Sequence, residues 1–141
     1  MTQTIAPTSV AALAKGLMLR CQTIRGLRCY DIMHPDPPPP ALCVGGPVRW
    51  TYDETWDGVW RPVFELWVYV NPANLPDAQR QLFAYVAPTG PQSIPAAVYA
   101  DTSLGGVAHD TKLLGGPRGA TLVDQGGSLL SLVLEVEVWA M

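Results

Sequence analysis

Charge is scarce in this chain. Of its 141 residues only 15% are Asp, Glu, Lys or Arg, against about 25% in an ordinary soluble domain. The formal net charge is −3. There is no basic excess, which argues against a nucleic-acid binder that works by neutralising phosphates. Cysteine is sparse as well. Cys21, Cys29 and Cys43 are an odd set with no C-x-x-C pair, and they read as small buried hydrophobes in a reducing compartment. No apolar run approaches the roughly 20 residues that cross a bilayer. Met1 to Pro7 lack the basic start and continuous apolar stretch of a secretion signal. The expectation is a chain made and kept in the cytoplasm, or assembled there.

Chemical motifs are missing too. There is no phosphate-cradling G-x-x-x-x-G-K-[ST], no G-x-S-x-G and no H-E-x-x-H. His109 and Asp110 are adjacent near the start of an expected strand, so their side chains point to opposite faces and make a poor base-and-orienter pair. His34, beside a run of prolines, reads as structural. No three liganding residues stand at zinc-like spacing. Expected catalytic, cofactor and metal sites are therefore none.

What is present is apolar and aromatic: 48% hydrophobic residues, five Trp and five Tyr. The length suits one domain, residues 1–141, able to bury roughly two thirds of its unfolded surface without a disulfide or metal staple. Low charge with many aromatics fits a surface covered by another protein, or simply a sticky small domain.

The clearest pattern closes the chain. Leu130, Leu132, Leu134, Val136 and Val138 alternate with Ser131, Val133, Glu135, Glu137 and Trp139, the period of two of a strand with one face in a core. Val59 to Asn71 repeats it, with Phe64, Leu66, Val68 and Val70 on one face and Val63, Glu65, Trp67 and Tyr69 on the other. The two strands are expected to pair. Glu65, Glu135 and Glu137 then share a face. They could be read as paired catalytic carboxylates, but the base, nucleophile or ligand such chemistry needs is absent, and an acidic surface stripe is the better reading.

Around these strands the spacing predicts helices from Val10 to Thr23, from Asn74 to Val86, and from Ser93 to Leu104, each with a capping residue or first-turn proline. Gly16 weakens the first by about 1 kcal/mol relative to Ala unless close packing requires it. Short strands are expected at Leu27 to Asp31, Ala41 to Val44, Val48 to Tyr52, Val107 to Leu114 and Ala120 to Asp124. Gly45-Gly46-Pro47 and Gly115 to Gly119 read as turn and loop. Pro37 to Pro40 read as a rigid extended connector, and Asp53 to Gly58 as an acidic loop carrying Trp56. No repeat is visible. The fold class expected is α+β, a mainly antiparallel sheet of about 4–6 strands with helices on one face.

Four stretches, in this order and spacing, give the chain a likeness. They are Ile24 to Asp31 after the first helix; Pro37 to Pro40 followed by Ala41 to Pro47; Gln79 to Val86 with Pro88-Thr89-Gly90; and Ser93 to Ala97 with Asp101 to Val107. With the final strand they resemble the tail terminator proteins of long-tailed, siphovirus-type bacteriophages. Head–tail connector and neck subunits share parts of this look. The resemblance implies a virion protein forming a ring, six subunits as a rule, at the head-proximal end of the tail. It implies that the ring caps the tail tube, ends its polymerisation and offers a surface for head attachment, with DNA passing through the bore. The implied partners are other copies of the chain, the major tail tube protein and a connector or stopper protein, with no membrane and no sequence-specific DNA contact. No catalytic residues or cofactors are implied. In such a ring Glu65, Glu135 and Glu137 are expected to face the bore, while Pro37, Pro38, Pro39, Pro40, Trp56 and Arg118 are expected at subunit or tube contacts. The competing readings are a connector or neck subunit and, from another class, a small-molecule-binding module or enzyme.

Overall fold

The computed structural model describes residues 9–34, 38–52, 60–71, 73, 75–124 and 128–140, with the backbone alone at 48–52, 75, 115–124 and 128–130. Among these, three helices and five strands form: α1 (Val10–Cys21), β1 (Arg28–Tyr30), β2 (Ala41–Tyr52), β3 (Trp60–Val70), α2 (Leu75–Val86), α3 (Ile94–Tyr99), β4 (Asp110–Asp124) and β5 (Ser128–Trp139). The strands make one sheet in the order β1-β2-β3-β5-β4. The α+β class is as the alternation predicts.

The two alternating strands do pair, antiparallel, with Phe64 opposite Val136, Leu66 opposite Leu134 and Val68 opposite Leu132. Their aliphatic face packs beneath all three helices. Leu13, Leu17 and Cys21 of α1, Ala78, Leu82 and Tyr85 of α2, and Ile94, Ala97 and Val98 of α3 join it in one buried cluster. Each fully buried Leu, Val or Phe contributes about 1.5–3 kcal/mol of transfer free energy. β5 lies inside the sheet, with β3 at its middle.

Local chemistry sets the helix limits. Ser9 caps α1, its Oγ accepting the Ala12 N–H at 3.1 Å. Ser93 caps α3 in the same way, accepting the Ala96 N–H at 3.0 Å. The third helix is shorter than its spacing predicts, ending at Tyr99. The cause is Asp101. Its carboxylate accepts hydrogen bonds from the Ser103 N–H at 3.1 Å, the Ser103 hydroxyl at 2.5 Å and the Gly105 N–H at 3.0 Å. A short acidic side chain that takes backbone donors competes with the helix for them. Leu104, Gly105 and Gly106 then run with positive φ, and the next strand starts at Asp110, not Val107. The Ser103 hydroxyl, then the Gly105 N–H, hold the Asp101 carboxyl below the usual carboxylate range.

Two further expectations are corrected. Gly45-Gly46-Pro47 does not end a strand: β2 runs through it, with a register shift between Gly45 and Arg49. Gly115 to Gly119 is likewise no free loop but part of β4, which shifts register between Leu114 and Arg118 and again before Thr121. Bulges absorb extra residues without ending the ladder, and edge strands tolerate the missing proline donor. The sheet also contains one parallel pair, β1 with β2. The proline run joins them. The Arg28 N–H donates to the Pro40 carbonyl at 3.2 Å, and its guanidinium reaches the Pro38 and Pro39 carbonyls at 3.4 Å each.

Gly16 is required by packing. A Cβ there would lie 2.9 Å from both Leu104 Cβ and Val107 Cγ2 and 3.1 Å from the Leu104 carbonyl oxygen. Gly16→Ala should therefore lower stability by about 1–3 kcal/mol through overpacking, despite Ala's better helix propensity. A urea midpoint at or above that of the wild type would contradict this. Cys21 and Cys43 are fully buried and Cys29 is half-buried. Burial raises all three thiols above their ordinary range, Cys29 to about 12. Since the thiolate is the reactive form, iodoacetamide at pH 8 should label the folded chain far more slowly than the denatured one at every cysteine. One native thiol reacting at the denatured rate would refute it.

Candidate functional site

The second face of the sheet carries the residues that the sequence singles out. In β3 it presents Val63, Glu65, Trp67 and Tyr69; in β5, Ser131, Val133, Glu135, Glu137 and Trp139. The register brings the three glutamates together. Glu65 stands opposite Glu135, and Glu137 lies in the next row opposite Val63. Directly opposed like charges destabilise a sheet, so the register positions neighbouring the row matter.

Those neighbours are basic positions that sequence reading did not connect with the stripe. Glu137 pairs with Lys112 in β4. Val63, beside Glu65, pairs with Arg49 in β2. Val133, beside Glu135, pairs with Arg118. Arg118 was expected in a flexible loop; its backbone belongs to the sheet. The register thus sets basic residues at positions in the rows on either side of the Glu65–Glu135 row. The signal for Lys112 was available in the alternation of Asp110, Lys112 and Leu114. For Arg49 and Arg118 it was hidden by the Gly-Gly-Pro bulges.

The face is also largely closed to water. Val63, Tyr69, Ser131, Val133 and Cys43 are buried, while Glu65, Trp67, Glu135 and Glu137 are half-buried. Burial and the nearby Cys43 push the Tyr69 phenol up to about 12. Trp67 and Tyr69 stack at 6.3 Å between ring centroids. Part of the cover comes from the segment after β1. Met33 Sδ lies 3.2 Å, and the Trp67 indole 3.4 Å, from where a Cβ on Gly45 would sit. The His34 ring leans on Tyr30 at 4.8 Å. At the rim Trp139 Nε1 donates to Glu137 Oε1 at 2.7 Å, which spends one carboxylate oxygen on a same-strand partner.

The remaining predicted positions are apart from this face or not described. Pro38 is exposed, and Pro39 and Pro40 are half-buried in the β1–β2 connection. Pro37 and Trp56 lie outside the described residues. His109 and Asp110 do not engage one another. The His109 N–H donates to the Trp139 carbonyl at 2.7 Å, and Asp110 Oδ1 accepts the Thr111 N–H at 2.9 Å. Among the described residues no three His, Cys, Asp or Glu side chains are grouped to hold a metal ion. The arrangement offers a packed surface with carboxylates at its half-exposed points.

A scan against protein-family models returns no match for this chain, and neither does a search of curated proteins.

Burial of this face makes a definite demand on Val133, which is only 6% exposed. Val133→Asp takes a carboxylate out of water beside Glu135, and should cost roughly 3 kcal/mol or more. Equilibrium urea unfolding measures it. A variant as stable as the wild type would mean that the face is open to water.

Proposed function

We propose that the chain is a tail terminator subunit of a long-tailed bacteriophage. In this reading it forms a ring, six copies as a rule, on the last layer of the tail tube. The ring ends tube growth and presents its far side to the connector or stopper protein of the head. The observation that carries the reading is the ordered set of four segments whose pattern resembles that family. In the fold they are the exit of α1 into β1, the proline run into β2, α2 with its following turn, and α3 with the Asp101 turn.

Surface composition supports it. Large apolar side chains stand exposed on separate elements: Leu19 at 49% on α1, Ile32 at 69% after β1, and Phe83 at 62% on α2. A ring subunit hides two different patches, one against each neighbour, and such contacts draw on apolar and aromatic groups. A chain with so little charge is suited to that.

In the same reading the glutamate row of the second face looks on the bore. Its interleaved lysine and arginine positions temper simple repulsion of DNA. They also form no unbroken basic track on which phosphates would displace counterions. A nearly balanced surface lets a polyanion slide past without being held.

Cryo-electron microscopy of intact particles carrying this chain tests the proposal. The expected result is a six-fold ring of the chain stacked on the final tube ring, with Glu65, Glu135 and Glu137 toward the channel. A ring seated on the portal would replace the terminator with a connector subunit. Absence of the chain from the tail and neck would end both readings. Glutamates on the outer wall or between subunits would end the assignment of that face.

A further inference from the structure

β4 is the last strand of the sheet. The outer side of such a strand offers main-chain donors that its inner partner does not take, and an open row of them is a template for pairing with another chain. Here two are occupied by side chains. The Thr111 N–H donates to Asp110 Oδ1 at 2.9 Å. The Leu113 N–H donates to the hydroxyl of Tyr99, the last residue of α3, also at 2.9 Å. The Thr111 hydroxyl donates in turn to the Thr102 carbonyl at 2.8 Å, which ties the start of β4 to the turn after α3. Further along, Pro117 has no N–H to give.

The opposite flank is open in a complementary way. β1 pairs with β2 only from Ala41 to Cys43. Beyond Cys43, β2 pairs with β3 alone among the described residues. β2, β3, β5 and β4 alternate in direction. A second copy laid beside the first in the same orientation therefore presents its β2 antiparallel to β4. The most natural occupant of the β4 edge is another copy of this chain.

We infer that Tyr99 guards this edge: its hydroxyl holds the Leu113 N–H that the strand of a second copy would take, so lateral pairing of copies requires Tyr99 to release it. Tyr99 suits the task. At 49% exposure its ring is not locked in the core, and it can leave for little more than one hydrogen bond. Asp110 performs the same service at Thr111. The guard belongs to the single chain, independently of any ring.

Tyr99→Phe keeps the ring and removes the hydroxyl. In dilute protein, hydrogen exchange at the Leu113 amide should accelerate about fivefold, the size expected for one net hydrogen bond, while far-UV circular dichroism stays that of the wild type. In sedimentation velocity across a concentration series, the variant should form larger species at lower concentration than the wild type. Asp110→Ala, which frees the Thr111 N–H by an independent route, should shift association in the same direction. Unchanged exchange at Leu113 in Tyr99→Phe would overturn the inference. So would sedimentation profiles of both variants that match the wild type at every concentration.

Discussion

The register between β3 and β5 is the constraint on which the rest of the structure depends. It puts Phe64, Leu66 and Val68 against Val136, Leu134 and Leu132 on one side of the sheet, and every helix packs on that side. Side chains alternate strictly in a strand, so a slip of one residue would exchange the two faces of whichever strand moved. A slipped β5 would carry Glu135 and Glu137 under the helices, leaving charges in the driest part of the molecule. The cost of burying them unpaired is several kcal/mol each, against a total stability of about 5–15 kcal/mol for an ordinary domain. One alternation therefore decides the core, the place of the helices and the composition of the second face together.

That alternation was legible because it is long and regular in both strands, and because few residues interrupt it. The helices were legible from their caps: Ser9 and Ser93 sit at the starts and accept the N–H groups that a first turn leaves over. What escaped reading has physical reasons. Gly-Gly-Pro is strong turn chemistry in isolation, yet the sheet accommodates it as a bulge at Gly45 to Pro47 and again at Gly115 to Pro117. β1 is three residues long, too short to carry a pairing signal, and the Arg28 N–H donating to the Pro40 carbonyl accompanies its parallel partnership with β2. The end of α3 turned on one side chain, Asp101, whose competition for local donors is visible only once the turn is formed. The glutamates were readable as sharing a face. Their basic neighbours were not, because the positions of Arg49 opposite Val63 and Arg118 opposite Val133 depend on where the bulges shift the register.

The second face shows how a chain poor in charge spends what it has. Opposed glutamates in one row are unfavourable by themselves, and the rows on either side bring Arg49, Lys112 and Arg118 into register nearby. Between them lie buried Val63, Val133 and Tyr69 and the Trp67 ring. The face is specified by the same alternation that builds the core, read on its other side.

The two bulges give this face its last property. The shift in β2 falls between the partners of Glu65 and Val63, and the first shift in β4 falls between the partners of Glu135 and Val133. They flank the Glu65–Glu135 row on opposite sides. A bulge bends its strand and increases the local twist, while β3 and β5 pass the row with unbroken register. Bending is therefore concentrated in the flanking strands, on either side of a line of carboxylates held straight by the middle pair.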